Sequence, residues 1–197
     1  SLITISFMET VVQKISRSPI TSKEYILPSG VNDKIGIDHF ISLHPGKKVV
    51  VVQGLGFVGS VMGLVVANAL TEEYAVIGID LPTPASYWKI CSINEGVFPV
   101  LASDPKIIQY YENSRRKKNY YATFDPYVYS LADVIVVDIN LDVKKQANNG
   151  SDVNDYSVDL SPFKKAIESI GNNCKPDVLV LVETTVPPGT SEKIVRP

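Results

Sequence analysis

The amino-acid sequence predicts an α/β protein built on a doubly wound, mostly parallel sheet. Four consecutive valines at residues 49–52 are typical of a strand buried on both faces. A glycine-rich turn follows, and then an apolar helical segment at about residues 58–70. A second apolar run at residues 75–79 completes a strand–helix–strand unit, which requires two parallel strands joined by a right-handed crossover.

Residues 1–46 differ from the rest of the sequence. They mix short apolar runs with prolines and glycines, and no helical or strand period persists through them. We therefore expect two parts: an N-terminal arm, residues 1–46, partly ordered and packed on the surface, and a domain formed by residues 47–197.

Strands and helices are expected to alternate through the rest of the domain. After a short helix at residues 86–93, Asp104 and Pro105 are a typical N-cap and first position of a longer helix. This helix ends in the basic run 115–118, which fits a solvated helix C-terminus better than a phosphate-binding patch. The remaining predicted elements are strands at residues 120–124, 134–137 and 178–182, a polar loop at residues 146–152, and a helix that begins at Ser161.

Composition limits the classes of function. Of 197 residues, 45% are hydrophobic and 20% are charged, as in an ordinary globular protein. The net charge of −2 argues against a nucleic-acid partner. Two cysteines, Cys91 and Cys174, are too few for a disulfide framework or for a zinc site without other ligands, and they fit a reducing compartment. The longest apolar stretch is too short and too mixed to span a membrane, and we expect a cytoplasmic protein without a metal.

The glycine turn is the strongest functional signal. Gly54, Gly56 and Gly59 stand in the pattern G-x-G-x-x-G, directly after a strand and at the start of a helix. In such a turn the first glycine permits the tight bend, the second lets a pyrophosphate approach the backbone, and the third lets helix and strand pack closely. Phe57 and Val58 would then offer their N–H groups to the anion at the helix N-terminus. The sequence predicts a dinucleotide-binding, Rossmann-type domain, the alternative being a tight turn without a ligand.

Asp80 closes the second predicted strand, where an acidic residue commonly accepts hydrogen bonds from the adenosine ribose. A carboxylate there repels a 2′-phosphate, and no basic residue follows closely in sequence, so NAD is favoured over NADP. The alternative is an aspartate that merely caps the end of a strand.

Residues 183–190 follow the last predicted strand and have the sequence E-T-T-V-P-P-G-T. They lie at the carboxyl end of a parallel strand, where ligands bind in open α/β sheets. Thr184 and Thr185 could present hydroxyl groups to the crevice. By composition alone, the segment is also that of a rigid strand-to-helix turn.

In four segments the sequence resembles the N-terminal domain of the UDP-glucose/GDP-mannose dehydrogenase family, the nucleotide-sugar 6-dehydrogenases. These are the glycine turn, the strand ending at Asp80, residues 93–99 (like I-N-x-G-x-x-P) and residues 183–190 (like E-S-T-V-P-P-G-T). The resemblance implies an NAD-dependent oxidation of the C6 alcohol of a UDP-hexose or UDP-N-acetylhexosamine to a uronic acid, in an enzyme that is a homodimer. It also implies that Glu183 and Thr184 lie near the nicotinamide and that Thr185 positions a catalytic water.

The sequence departs from the family after its fourth strand, where residues 138–142 replace a Thr-Pro-containing motif. The resemblance also implies a catalytic cysteine and lysine beyond Pro197, so we expect this chain alone to be inactive. We interpret Cys91 and Cys174 as packing thiols. Two alternatives stay open: a stand-alone, non-catalytic dinucleotide-binding module, and a dehydrogenase of another Rossmann type, against which residues 183–190 argue.

Overall fold

The structure is a computed structural model that describes residues 13–101, 103–141, 143–145 and 156–196. Its helices and strands follow one another in this order: β1 (Ile15–Arg17), β2 (Glu24–Ile26), α1 (Lys34–Ser42), β3 (Lys48–Gln53), α2 (Phe57–Ala67), β4 (Tyr74–Ile79), α3 (Tyr87–Glu95), α4 (Pro105–Lys117), β5 (Tyr120–Thr123), a 3-10 helix (Pro126–Leu131), β6 (Val134–Val137), β7 (Val143–Lys145), β8 (Tyr156–Val158), α5 (Ser161–Asn173), β9 (Leu179–Val182) and a π-helical turn (Ser191–Val195).

Five strands form one sheet in the order β5-β4-β3-β6-β9, and every neighbouring pair is parallel. The chain starts in the middle of this sheet, adds β4 and β5 on one side, and then crosses to add β6 and β9 on the other. The reversal leaves a crevice at the carboxyl ends of β3 and β6, where open α/β sheets bind ligands. The predicted doubly wound fold is confirmed.

The side chains of the inner strands β3 and β4 are buried on both faces, as their unbroken apolar runs predict. Val51 is fully buried and is paired in register with Ile77 and Ile135, and these three side chains share one core. Val50 and Val52 point to the opposite face, where they pack with residues of α2. Burying large aliphatic side chains stabilises the fold by about 1.5–3 kcal/mol each, so this double-sided core holds the strand ends in place.

Helix α4 begins as its sequence predicts. The Asp104 carboxylate accepts a hydrogen bond of 2.9 Å from the backbone N–H of Lys106, and Pro105 occupies the first turn. The basic residues 115–117 form its last turn, in agreement with the interpretation of this run as a helix C-terminus.

The arm contains more structure than its sequence indicates. Strands β1 and β2 form an antiparallel hairpin, and α1 buries Ile37 and Phe40 in the main core. These three elements were not predicted individually, because no helical or strand period persists through residues 1–46. Helix α1 has only nine residues, contains Gly36 and lacks a side-chain cap, so its sequence gives little helical signal. Residues 1–12 lie outside the described part, and the division of the chain at residue 46 stays a prediction.

Strand β9 forms one edge of the sheet. Val180 and Val182 pack against the main core, whereas Leu179 and Leu181 on the other face are 54% and 41% exposed. The short antiparallel pair β7–β8 was not predicted. The predicted polar loop at residues 146–152 lies outside the described residues.

Candidate cofactor-binding site

Gly54 holds the sharp turn after β3. Its φ angle is +100°, a left-handed conformation that side chains disfavour, and its N–H donates a 2.9 Å hydrogen bond to the carbonyl of Ile79. A Cβ atom at this position would overlap the backbone oxygen of Asp138. The turn therefore fits only glycine, since it is held between the ends of β4 and β6.

The other two glycines of the turn have different surroundings. A Cβ atom at Gly59 would overlap the carbonyl oxygen of Gly54, so α2 can approach the turn only without a side chain there. At Gly56 the nearest atom to a Cβ would be Nδ2 of Asn140, at 3.8 Å. Gly56 thus faces open space, and its φ of −70° is one that any residue can adopt. The fold does not need a glycine here, whereas an anion that approaches the backbone does.

The first turn of α2 meets this open space. Gly56 is the N-cap and has no side chain with which to cap the helix. The side chains of Phe57 and Val58 are 59% and 52% exposed, so neither covers the helix N-terminus with a packed side chain. The N–H groups and the positive dipole end of α2 suit a pyrophosphate group.

Asp80 lies beside the turn, at the end of β4. Its Oδ2 accepts a 3.1 Å hydrogen bond from the N–H of Leu55, and its Oδ1 accepts one of 2.7 Å from the N–H of Leu81. The Nζ of Lys89 lies 3.6 Å from Oδ2 of Asp80. Both side chains are largely buried, with 23% of Lys89 and 17% of Asp80 exposed. The sequence analysis missed Lys89, because it lies on α3 and reaches Asp80 only through the fold.

Asp138, directly after β6, brings a second carboxylate to the glycine turn. The backbone N–H of Gly59 faces this carboxylate and stabilises its charged form. Burial nevertheless raises the pKa of Asp138, and the negative charge of Glu183 raises it further. Asp138 belongs to the segment in which the sequence departs from the family pattern; Asp142, the last residue of that segment, lies outside the described residues.

The segment after β9 uses its first threonine internally. Thr184 is buried, and its hydroxyl accepts a 2.9 Å hydrogen bond from the N–H of Ile139 and lies 3.3 Å from the carbonyl of Val137. Glu183 and Thr185, by contrast, are exposed. The structure therefore shows Thr184 joining the end of β9 to the segment after β6.

A cavity of about 540 Å³ opens at the carboxyl ends of β3, β4 and β6. Gly54, Gly56 and Asp80 line it, whereas residues 183–185 lie outside its lining. It is also lined by residues that the sequence analysis did not select, among them Lys89, Phe124, Pro126, Tyr129, Asn140 and Lys165. Phe124 and Asn140 follow strands directly, and their position at strand ends was the available signal.

The described residues also bear on two other classes of site. They hold no group of three or more histidine, cysteine, aspartate or glutamate side chains placed to bind a metal ion. No helix among them is both long enough and apolar enough to cross a bilayer.

Comparison with known protein families distinguishes a dinucleotide-binding turn from a tight turn without a ligand. Residues 47–197 match the model of the UDP-glucose/GDP-mannose dehydrogenase family, NAD binding domain. This chain belongs to that family. The match begins one residue before β3 and contains the glycine turn, Asp80 and residues 183–190, so the cofactor of the domain is NAD.

Individual relatives agree with the family assignment. The chain is 30% identical over 156 residues to a UDP-N-acetyl-D-mannosamine dehydrogenase from Pyrococcus horikoshii. Among solved structures it resembles a GDP-mannose dehydrogenase from Pseudomonas aeruginosa, with a TM-score of 0.60 and 26% identity over 74% of this chain and 30% of the other. An NDP-N-acetyl-D-galactosaminuronic acid dehydrogenase from Methanosarcina mazei, at 24% identity and a TM-score of 0.65 over 81% of this chain and 32% of the other, shows the same fold.

The chain matches only part of these dehydrogenases. Its alignment with the Pyrococcus enzyme takes in 75% of this chain but 31% of the relative. The chain thus corresponds to the NAD-binding portion of its relatives, which are much longer.

Proposed function

We propose that this chain is the cofactor-binding part of an NAD-dependent dehydrogenase that oxidises the C6 alcohol of a UDP-hexose or UDP-N-acetylhexosamine to a uronic acid. The names of the relatives given above are those of dehydrogenases of nucleotide-linked sugars. The family match covers all five strands of the parallel sheet. NAD supplies the hydride acceptor for such an oxidation. The part of this domain is to bind and orient the dinucleotide.

One observation carries the assignment of the site. Gly56 opens onto free space at the N-terminus of α2, in the same cavity as Asp80. We assign the pyrophosphate of NAD to Gly54, Gly56 and Gly59 with the N–H groups of Phe57 and Val58. The adenosine ribose belongs beside Asp80, whose oxygens keep lone pairs for hydroxyl donors. Lys89 balances the charge of this carboxylate.

The nicotinamide half belongs on the other side of the glycine turn, toward β6 and β9. Glu183 and Thr185 are exposed at the end of β9, so both side chains are accessible to a neighbouring group. By the family resemblance we assign Thr185 to positioning a catalytic water. The buried Thr184 would act through the backbone of Ile139, which it holds.

The remaining groups of the reaction belong to polypeptide that this chain does not include. We propose that the catalytic cysteine and lysine, the substrate-binding residues and a homodimer interface lie there. Cys91 and Cys174 are free thiols, half-buried in the domain, which suits packing and a reducing cytoplasm.

Calorimetric titration of the chain with NAD tests cofactor binding. Measurement of NADH absorbance with a panel of UDP-hexoses and UDP-N-acetylhexosamines tests the reaction, for this chain and for a longer polypeptide that includes it. We expect this chain to bind NAD without turnover, and the longer polypeptide to reduce two NAD per sugar. A longer polypeptide that binds NAD but oxidises no nucleotide sugar would favour a non-catalytic module.

A further inference from the structure

Two loops form the adenosine end of the cavity. The first connects β4 to α3 and contributes Leu81, and Lys89 follows it on α3. The second follows β5, contributes Phe124 and leads into the 3-10 helix, whose first residue, Pro126, also lines the cavity. Both loops are irregular, so sheet hydrogen bonds alone do not fix their conformation.

The β1–β2 hairpin of the arm holds the first loop. Ser16 is fully buried; its hydroxyl donates a 2.7 Å hydrogen bond to the carbonyl of Pro84 and accepts one of 3.0 Å from the N–H of Trp88. Lys23 and Tyr25 of the same hairpin bind the Glu95 carboxylate at the end of α3, with contacts of 2.8 and 2.9 Å. The hairpin therefore fixes both the loop and the helix that carries Lys89.

The start of α1 holds the second loop. The Oδ2 atom of Asp33 accepts hydrogen bonds from the hydroxyls of Tyr121, at 2.9 Å, and Thr123, at 2.6 Å. The N–H of Asp33 donates a 2.7 Å hydrogen bond to Asp125, whose other carboxylate oxygen caps the 3-10 helix. Phe124 thus lies between two residues that Asp33 binds directly.

The arm precedes residue 47, where the family match begins, and none of its described residues lines the cavity. We infer that residues 13–42 set the conformation of the two adenosine-binding loops, with Ser16 and Asp33 as positioning residues for the adenosine half of NAD. This inference rests on the proposed site. Loops that are ordered before binding lose less conformational entropy when the ligand arrives, so the arm raises affinity without touching the cofactor.

Five variants of the 197-residue chain test this role. Ser16→Ala and Asp33→Ala remove the contacts to the first and second loop respectively. Arg17→Ala and Asn32→Ala are matched controls: Arg17 pairs with Glu24 inside the hairpin, and the Asn32 side chain accepts a hydrogen bond from the N–H of Lys34, within its own segment. Asp33→Asn is a conservative variant, because its amide oxygen can still accept hydrogen bonds from the two hydroxyls.

Binding is measured calorimetrically with NAD and with ADP-ribose, which lacks nicotinamide. We expect Ser16→Ala and Asp33→Ala to weaken both ligands by the same factor, about tenfold. The two controls should stay within about twofold of the unmodified chain, and Asp33→Asn should recover most of the affinity.

Amide hydrogen exchange without ligand separates positioning from general stability. We expect faster exchange at residues 81–88 in Ser16→Ala and at residues 124–127 in Asp33→Ala, with β3 and α2 unchanged. Unchanged affinity and exchange in both variants, or faster exchange throughout the sheet, would overturn the inference. Failure of the unmodified chain to bind NAD would instead overturn the proposed site, and the exchange measurement does not depend on it.

Discussion

The Asp138 carboxylate faces the backbone N–H of Gly59 in the first turn of α2. A negative charge is therefore already present at the helix N-terminus to which we assign the pyrophosphate. The Gly59 N–H offsets part of the cost of burying this charge, because an anion suits this end of a helix. The Asp138 charge opposes the cofactor, because two anions close together repel each other.

Replacement of this charge should strengthen cofactor binding. We expect Asp138→Asn to lower the dissociation constant of NAD by about three- to tenfold at neutral pH, the scale of one partly screened charge pair. The asparagine oxygen can still accept the Gly59 N–H, so the turn should persist. Calorimetry measures the effect. Asp177→Asn, an exposed site before β9 at the opposite end of the sheet, is the matched control. Equal affinities of Asp138→Asn and the unmodified chain would show that the pyrophosphate binds elsewhere.

The same residue should make stability depend on pH. Because burial raises the pKa of Asp138 above its ordinary value of 3.8, the folded state holds this proton more tightly than the unfolded chain does. The resulting stabilisation is complete below the ordinary pKa and is lost as pH rises through the raised one. Urea unfolding at pH values between about 3 and about 7 should show Asp138→Asn gaining stability relative to the unmodified chain as pH increases. A constant difference across this range would contradict the shift.

Asp80 should decide between the two nicotinamide cofactors. We expect the unmodified chain to bind NAD at least about tenfold more tightly than NADP, because the carboxylate repels a 2′-phosphate. Asp80→Ala should reduce this preference and leave the ammonium group of Lys89 free to attract the 2′-phosphate of NADP. Titration of both cofactors into Asp80→Ala and into the double variant with Lys89→Ala separates the two contributions. Equal affinity of the unmodified chain for NAD and NADP would defeat the assignment of Asp80.

The three glycines should respond differently to substitution. Gly56→Val should abolish NAD binding while the domain stays folded, since a Cβ atom at Gly56 meets no atom closer than Nδ2 of Asn140, at 3.8 Å. Gly54→Ala should cost more than about 2 kcal/mol of stability, because both its φ angle and the Asp138 carbonyl oppose a Cβ atom. Thermal melting with and without NAD gives both results. A ligand-induced rise in melting temperature of Gly56→Val would show that the pyrophosphate does not contact the turn.

Substitutions of Thr184 and Thr185 should have different effects, the first on stability and the second on turnover. Thr184→Val should destabilise this chain by about 1–3 kcal/mol, because it leaves the buried N–H of Ile139 without its acceptor. Thr185→Ala should leave stability unchanged. In a catalytically active longer polypeptide, the latter change should slow turnover and spare NAD affinity. Urea unfolding and steady-state kinetics report the two effects. A Thr185→Ala variant with normal turnover would remove Thr185 from the reaction.

The strands were predictable because their signal is local. Four valines in a row and the run at residues 75–79 are typical of strands buried on both faces of a parallel sheet, and the structure has them as β3 and β4. Gly54 and Asp80 were predictable for the same reason, since a turn and a strand end are local features. Gly54 and Asp80 line the same cavity because their strands are parallel neighbours and end at the same edge of the sheet.

The residues that were missed depend on contacts between distant parts of the chain. Lys89 and Tyr129 line the cavity only because α3 and the 3-10 helix pack beside the sheet. Helix α1 is short and uncapped, and the tertiary packing of Ile37 and Phe40 stabilises it more than local propensity does. Thr184 could not be distinguished from Thr185 by sequence, because burial alone separates their roles.

The contacts of the arm also constrain the order in which the protein can fold. Ser16 and Trp88 are separated by 72 residues, and Asp33 and Thr123 by 90. During synthesis the arm leaves the ribosome before Trp88 and Thr123, because both of these anchoring residues follow it in the chain. We therefore expect hairpin β1–β2 to stay unanchored until α3 has formed, and the start of α1 until β5 has joined the growing sheet. By the inference above, the adenosine-binding loops acquire their final shape in this late step, so we expect a nascent chain to reach its full affinity for NAD only after the arm has docked.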